Sequence, residues 1–126
     1  MDAKTLDTPG SELSHRVIGS FYKTYNELGH GFLESVYENA FAIELDAQGF
    51  QWKRQVPIEV RFRASVVGLF RADFIIENQL VVEIKAVEHL MPAHEAQLLN
   101  YLKATGLRLG LLLNFGPRAQ VKRRVF

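Results

Sequence analysis

The sequence predicts an α/β domain in which helices cover a central mixed β-sheet. Three observations predict it. Two helical repeats of apolar residues lead the chain, three Val/Ile/Phe-rich runs joined by short polar links follow, and a third helical stretch precedes a nearly continuous apolar run. The length of 126 residues, with 48% hydrophobic and 23% charged, fits one domain with one core. Residues 1–10 are expected to form a flexible N-terminus and residues 11–126 the single folded domain.

From Ser11 to Leu28, Leu13, Val17, Phe21, Tyr25 and Leu28 recur at helical spacing, and Gly29 stops the helix. A second helix is expected from about Phe32 to Gln48, with Leu33, Val36, Tyr37, Ala40, Ile43 and Leu45 as its apolar set and Gly49 closing it. "QVPIEVRF", "VVGLFRADFII" and "LVVEIKAV" then read as an antiparallel meander, and Pro57 suggests that the first run lies at an edge or begins late. Pro92 suits the first turn of a third helix, which Gly106 ends. The run 107–115 is apolar enough to be a strand covered on both faces, and "VKRRVF" is a candidate last strand. The expected order is α-α-β-β-β-α-β-β.

The chain has no cysteine, which excludes disulfides and thiolate metal sites and suits a cytoplasmic protein; no stretch is apolar for long enough to span a membrane. The net charge of +1 conceals an asymmetry: residues 1–50 hold three basic and eight acidic side chains, residues 51–126 twelve basic and six acidic. The C-terminal half is the candidate surface for a polyanion, although charges that merely keep strand faces soluble would look the same.

In "RADFIIENQLVVEIKAV" the charges fall on one parity of the hairpin. Alternation puts Ala72, Phe74, Ile76, Val82, Ile84 and Ala86 on one face, and Arg71, Asp73, Ile75, Val81, Glu83 and Lys85 on the other. With the turn centred on Asn78, positions summing to 156 face each other, so Asp73 opposes Glu83 and Arg71 opposes Lys85. Facing like charges destabilise a sheet unless a counter-charge offsets them. A hard divalent cation such as Mg²⁺ answers that need, and it suits phosphate substrates. A solvated cross-strand quartet of Arg71, Asp73, Glu83 and Lys85 explains the same spacing.

In the third helix, His94, Gln97 and Tyr101 share a face; in the second, Glu34, Tyr37, Glu38 and Phe41 lie on one side. Gln97 and Tyr101 are equally compatible with sheet packing, and the helix dipole alone favours Glu34 in a first turn. "HEAQL" lacks the second histidine of the zinc-protease HExxH, and no phosphate-binding loop or nucleophile elbow occurs.

"GFLESVYENAF" resembles the signature of the GxxExxY protein family, placed in the PD-(D/E)XK nuclease superfamily, with matches at Gly31, Glu34 and Tyr37. The similarity runs from about residue 13 to the end. It implies a restriction-endonuclease-like core with a metal site on the central hairpin. Asp73 matches the motif's Asp, Glu83 and Lys85 its E-x-K, Gln97 with Tyr101 the Q-x3-Y helix of the RecB-type branch, and Glu34 a further helical metal ligand. Ala72 stands where the name-giving proline would be. The implied activity is Mg²⁺-dependent DNA cleavage, with Mn²⁺ as a substitute ion, by metal ligands Asp73, Glu83 and Glu34 assisted by Lys85, Gln97 and Tyr101. The alternative is a nuclease fold that binds nucleic acid or a protein partner without cutting. A homodimer is compatible with either.

Overall fold

The computed structural model describes residues 10–126, and residues 1–9, most of the expected flexible N-terminus, lie outside the described residues. Among the described residues, three helices and five strands follow the expected order: α1 (Ser11–Leu28), α2 (Glu34–Ala47), β1 (Trp52–Phe62), β2 (Ser65–Ile76), β3 (Leu80–Lys85), α3 (Pro92–Thr105), β4 (Leu109–Phe115) and β5 (Ala119–Val125). The sheet order is β1-β2-β3-β4-β5. β3 and β4 are parallel, joined by the α3 crossover, and the other neighbours are antiparallel. Parallel neighbours need such a crossover, which is why α3 must lie across one face.

Two apolar clusters sandwich the sheet. On one face α1 and α2 bring Val17, Phe21, Tyr37, Phe41 and Leu45 against Phe74, Ile76, Val82, Ile84, Leu111 and Leu113. On the other, Leu98, Tyr101 and Leu102 of α3 pack on Ile58, Ala72, Val81 and Leu112. A Cβ on Gly110 would come within 2.9 Å of the Leu98 side chain, so the glycine lets α3 approach β4 closely.

The hairpin has the predicted register. Ile76 pairs with Leu80, Ile75 with Val81 and Phe74 with Val82, each pair summing to 156. Glu77 and Asn78 both adopt positive φ, 54° each, and Gln79 N–H donates to the Ile76 carbonyl at 3.0 Å, which closes a tight turn whose twist suits a hairpin.

Three expectations need correction. Helix α2 begins at Glu34 rather than Phe32, and its buried residues are Tyr37, Phe41, Ala42 and Leu45. Leu33 and Ile43, assigned to the apolar set, are 77% and 72% exposed. Ala72 does not share a face with Phe74: it packs under α3, whereas Phe74 and Ile76 pack under α2. Strand β1 changes face at the same level, since Trp52 packs on the α1/α2 side and Ile58 on the α3 side. The change falls at Gln55, held at φ 51°, and at Asp73 beside it. Simple alternation fails there because a residue in left-handed conformation breaks the pleat. Thirdly, the β2–β3 ladder ends at Phe74 and Val82, so Arg71 is not paired with Lys85; its partner is Pro57 on β1.

Candidate active site

Where β2 and β3 part, two carboxylates fill the gap. Backbone N–H of Asp73 donates to Glu83 Oε1 at 3.1 Å, and backbone N–H of Ile84 donates to Asp73 Oδ2 at 2.7 Å. Each strand therefore lends its acid to the other's backbone at the position where the ladder stops. Glu83 is a buried charged residue in a strand otherwise lined by Leu, Val and Ile.

Burial sets the chemistry of the pair. The Glu83 carboxyl is pushed up to about 9, first by loss of solvent, then by the negative charge of Asp73 and by a side-chain hydrogen bond with it. The Asp73 carboxyl is also raised, chiefly by burial, while the hydrogen bonds from Ile84 and Glu83 pull the other way. At neutral pH the Glu83 carboxyl therefore keeps its proton beside Asp73, in a place where a cation could otherwise balance the two acids.

The accessories surround this pair. Lys85, two residues beyond Glu83, is half-buried and acts electrostatically on Glu34, Asp73 and Glu83, yet its ammonium group forms no hydrogen bond or ion pair among the described residues. Tyr101 lies beneath the hairpin, its hydroxyl raised to about 12 by burial and by the charges of Glu83 and Asp73. Gln97 Nε2 donates to the Tyr101 hydroxyl at 2.9 Å, so the two form a unit, and Gln97 binds Tyr101 rather than Lys85. Glu34, an exposed residue opening α2, has its carboxyl raised chiefly by desolvation; Lys85 opposes the shift, and Asp73 and Glu38 add to it. His94 takes no part, since its Nδ1 accepts the Met91 N–H and caps α3. No group of three or more His, Asp or Glu side chains stands at metal-ligand spacing among the described residues, so Asp73 and Glu83 form a pair and Glu34 is coupled to it through charge.

Tyr37 has a structural task. Its hydroxyl donates to the Gly29 carbonyl at 2.6 Å and accepts from Phe32 N–H at 3.2 Å, and its ring stacks on Phe115 at 4.5 Å. With Gly31 at φ 113°, this fixes the loop that delivers Glu34 to the start of α2. Spacing Gly31, Glu34 and Tyr37 at intervals of three thus yields a turn, an acid at the site and a clamp.

The family model of the PD-(D/E)XK nuclease superfamily matches residues 11–125. The chain belongs to that superfamily. Among solved structures, the one titled "Crystal structure of SSO0001" superimposes with a TM-score of 0.57 at 22% identity over 92% of this chain, a likeness of fold. This chain spans 59% of the length of that one. No curated protein matches. The α-α-β-β-β-α-β-β order with a five-stranded mixed sheet is the restriction-endonuclease-like arrangement expected of a PD-(D/E)XK chain.

Two residues that support this candidate site lie outside the sequence-based expectations. Gln55 Nε2 donates to Glu38 Oε1 at 2.6 Å and to Asp73 Oδ1 at 3.3 Å, bridging α2 to the hairpin acid. Glu38 also accepts from Arg54 Nε at 2.9 Å. Nothing in "RQVPIE" signals that a non-glycine residue will adopt left-handed φ. Asn114, wholly buried in β4, accepts from Val87 N–H and donates to the Val87 carbonyl, both at 2.9 Å, and pins the chain just past Lys85. Its signal was present as the one amide in "LGLLLNF".

Proposed function

We propose that this chain is a divalent-metal-dependent nuclease of the GxxExxY branch that hydrolyses phosphodiester bonds in DNA, using Mg²⁺ with Mn²⁺ as a substitute. The observation that supports it is the facing pair of Asp73 and Glu83. Two buried carboxyls side by side, one of them raised to about 9, make a site short of positive charge, and a divalent cation can meet that deficit in place of a proton. Asp73, Glu83 and Glu34 would hold the ion, which supplies charge neutralisation on a phosphodiester and acidifies water.

The remaining residues act around it. Lys85, whose ammonium group is bonded to no side chain among the described residues, positions the attacking water and a phosphate oxygen. Gln97 orients the Tyr101 hydroxyl beneath the acids, and Tyr101 stays protonated as a hydrogen-bond donor. Arg71, exposed two residues before Asp73, is placed to contact the DNA backbone. Part of the basic tail is committed elsewhere: Arg124 Nη2 pairs with Glu95 at 2.6 Å and Arg123 Nε donates to Ser14 Oγ at 3.0 Å. Lys122, Arg118 and Arg63 are exposed and suit long-range attraction of a polyanion. The missing cysteines fit work in a reducing cytoplasm, and no helix among the described residues is long and apolar enough to cross a membrane.

Purified protein with Mg²⁺ or Mn²⁺ is expected to cleave DNA, and Asp73→Ala is expected to abolish cleavage. Equal cleavage by wild type and Asp73→Ala, or none by either, contradicts the proposal. Gln55→Ala, which frees Asp73 Oδ1 from its amide donor, is expected to weaken divalent-ion affinity by about tenfold. Calorimetric titration measures this, and unchanged affinity would remove Gln55 from the site.

A second reading, a nuclease fold that binds nucleic acid or a protein without cutting, draws on the reciprocal carboxylate–backbone bonds at Asp73 and Glu83, which satisfy both acids internally. DNA binding that is unaffected by Mg²⁺ and by Glu83→Gln would favour it.

A further inference from the structure

Strand β2 runs 12 residues, Ser65–Ile76, but meets β3 only from Phe74 to Ile76. From Ser65 to Ala72 its β1 side is paired except at Val67, where the register shifts. Among the described residues no strand continues the sheet on the other side of that stretch, and no backbone group there bonds outside the β1 ladder. The side chains are apolar and open to solvent: Val67 is 62% and Leu69 63% exposed, with Val66 and Phe70 also exposed.

The outer strands of the sheet carry protection that this edge lacks. Strand β1 has Pro57, Glu59 and Arg61, and β5 has Lys122, Arg123 and Arg124. Proline and charge are the usual means of blocking strand addition. The segment "SVVGLF", 65–70, has no charge and no proline. An uncharged, β-rich, open edge is a template for another strand, and its apolar side chains suit a protein strand rather than a phosphate backbone.

We propose that this edge pairs with the same edge of a second copy of the chain, antiparallel about a twofold axis at Gly68. In that register positions summing to 136 oppose each other, so Leu69 meets the second copy's Val67, Phe70 its Val66 and Arg71 its Ser65. Cross-strand apolar pairs form beside the axis, and each arginine faces a serine instead of its own copy. Gly68 meets itself where no side chain obstructs. The pairing is isologous and consumes both edges, so it closes at a dimer. It ends two residues before Asp73. The inference stands on edge geometry and is independent of the nuclease reading.

Analytical ultracentrifugation of the full chain tests it. The expected species has twice the 14.4 kDa chain mass, and Leu69→Lys weakens self-association by about tenfold or more, while circular dichroism shows an unchanged fold. Because the chain has no cysteine, a Val67→Cys protein mixed with a Leu69→Cys protein under oxidising conditions is expected to give cross-linked dimers, and either alone to give far fewer. A wild-type chain that stays monomeric at high concentration overturns the proposal. So does a dimer that Leu69→Lys leaves intact, or cross-linking that is equal in the single and mixed samples. None of these outcomes depends on metal binding or cleavage.

Discussion

Replacing Lys85 by Ala is expected to lower the rate of DNA cleavage by on the order of 10³-fold while leaving divalent-ion binding nearly intact. Holding the ion and arranging the reactants are separate tasks. Lys85 is half-buried in the field of Glu34, Asp73 and Glu83 but is bonded to none of them among the described residues, so its ammonium group is uncommitted. In the proposed mechanism, removing it takes away the group that orients water and phosphate and leaves the proposed ligands in place. Asp73→Ala should differ in kind, since it eliminates both ion binding and cleavage. A single-turnover cleavage assay run beside a binding titration distinguishes the two variants. If Lys85→Ala loses ion binding to the same extent as Asp73→Ala, the lysine supports the acids structurally and the assigned role is wrong.

The second large effect is on stability against pH in the absence of divalent ions. The Glu83 carboxyl rises from an ordinary 4.5 to about 9 on folding, chiefly because it is buried. Between those values the folded chain keeps a proton that the unfolded chain has released. Stability is therefore fully present below about 4.5, falls as pH climbs through that window, and levels off above about 9. Asp73 is also raised and adds to the same trend. Glu83→Gln is neutral at every pH and nearly isosteric with the protonated acid, so it should flatten this slope and be more stable than wild type by about 2 kcal/mol at pH 8. Urea melts at a series of pH values from 5 to 9 measure it. A wild-type stability that rises across that range would show that the carboxyl is not held protonated.

Much of this was legible in the residues. Gly29, Gly49 and Gly106 stop helices as expected, with positive φ of 67°, 80° and 74°, and folding the hairpin about Asn78 gave the correct register. The opposition of Asp73 and Glu83 followed from that register. What alternation could not show is the change of face at Gln55 and Asp73, because period two holds only while the pleat is unbroken. Alternation accordingly puts Ala72 on the wrong face and carries the ladder too far, to Arg71 and Lys85. The break is also what opens the gap that the two carboxylates fill, so the pattern failed at the candidate site itself. The tail charges misled for a different reason. Composition counts Arg124 as available for a polyanion, but Glu95, brought close by the packing of α3 and β5, takes it.

The most direct test of the central claim, that Asp73 and Glu83 form a cation site in which a proton stands in for a metal ion, is calorimetric titration of Mn²⁺ into the full chain. It should be carried out at pH 7 in buffers of different ionisation enthalpy. The account predicts binding accompanied by release of a proton, with Glu83→Gln abolishing both the binding and the proton. Binding that is indifferent to Glu83→Gln, or no binding at all, would contradict it.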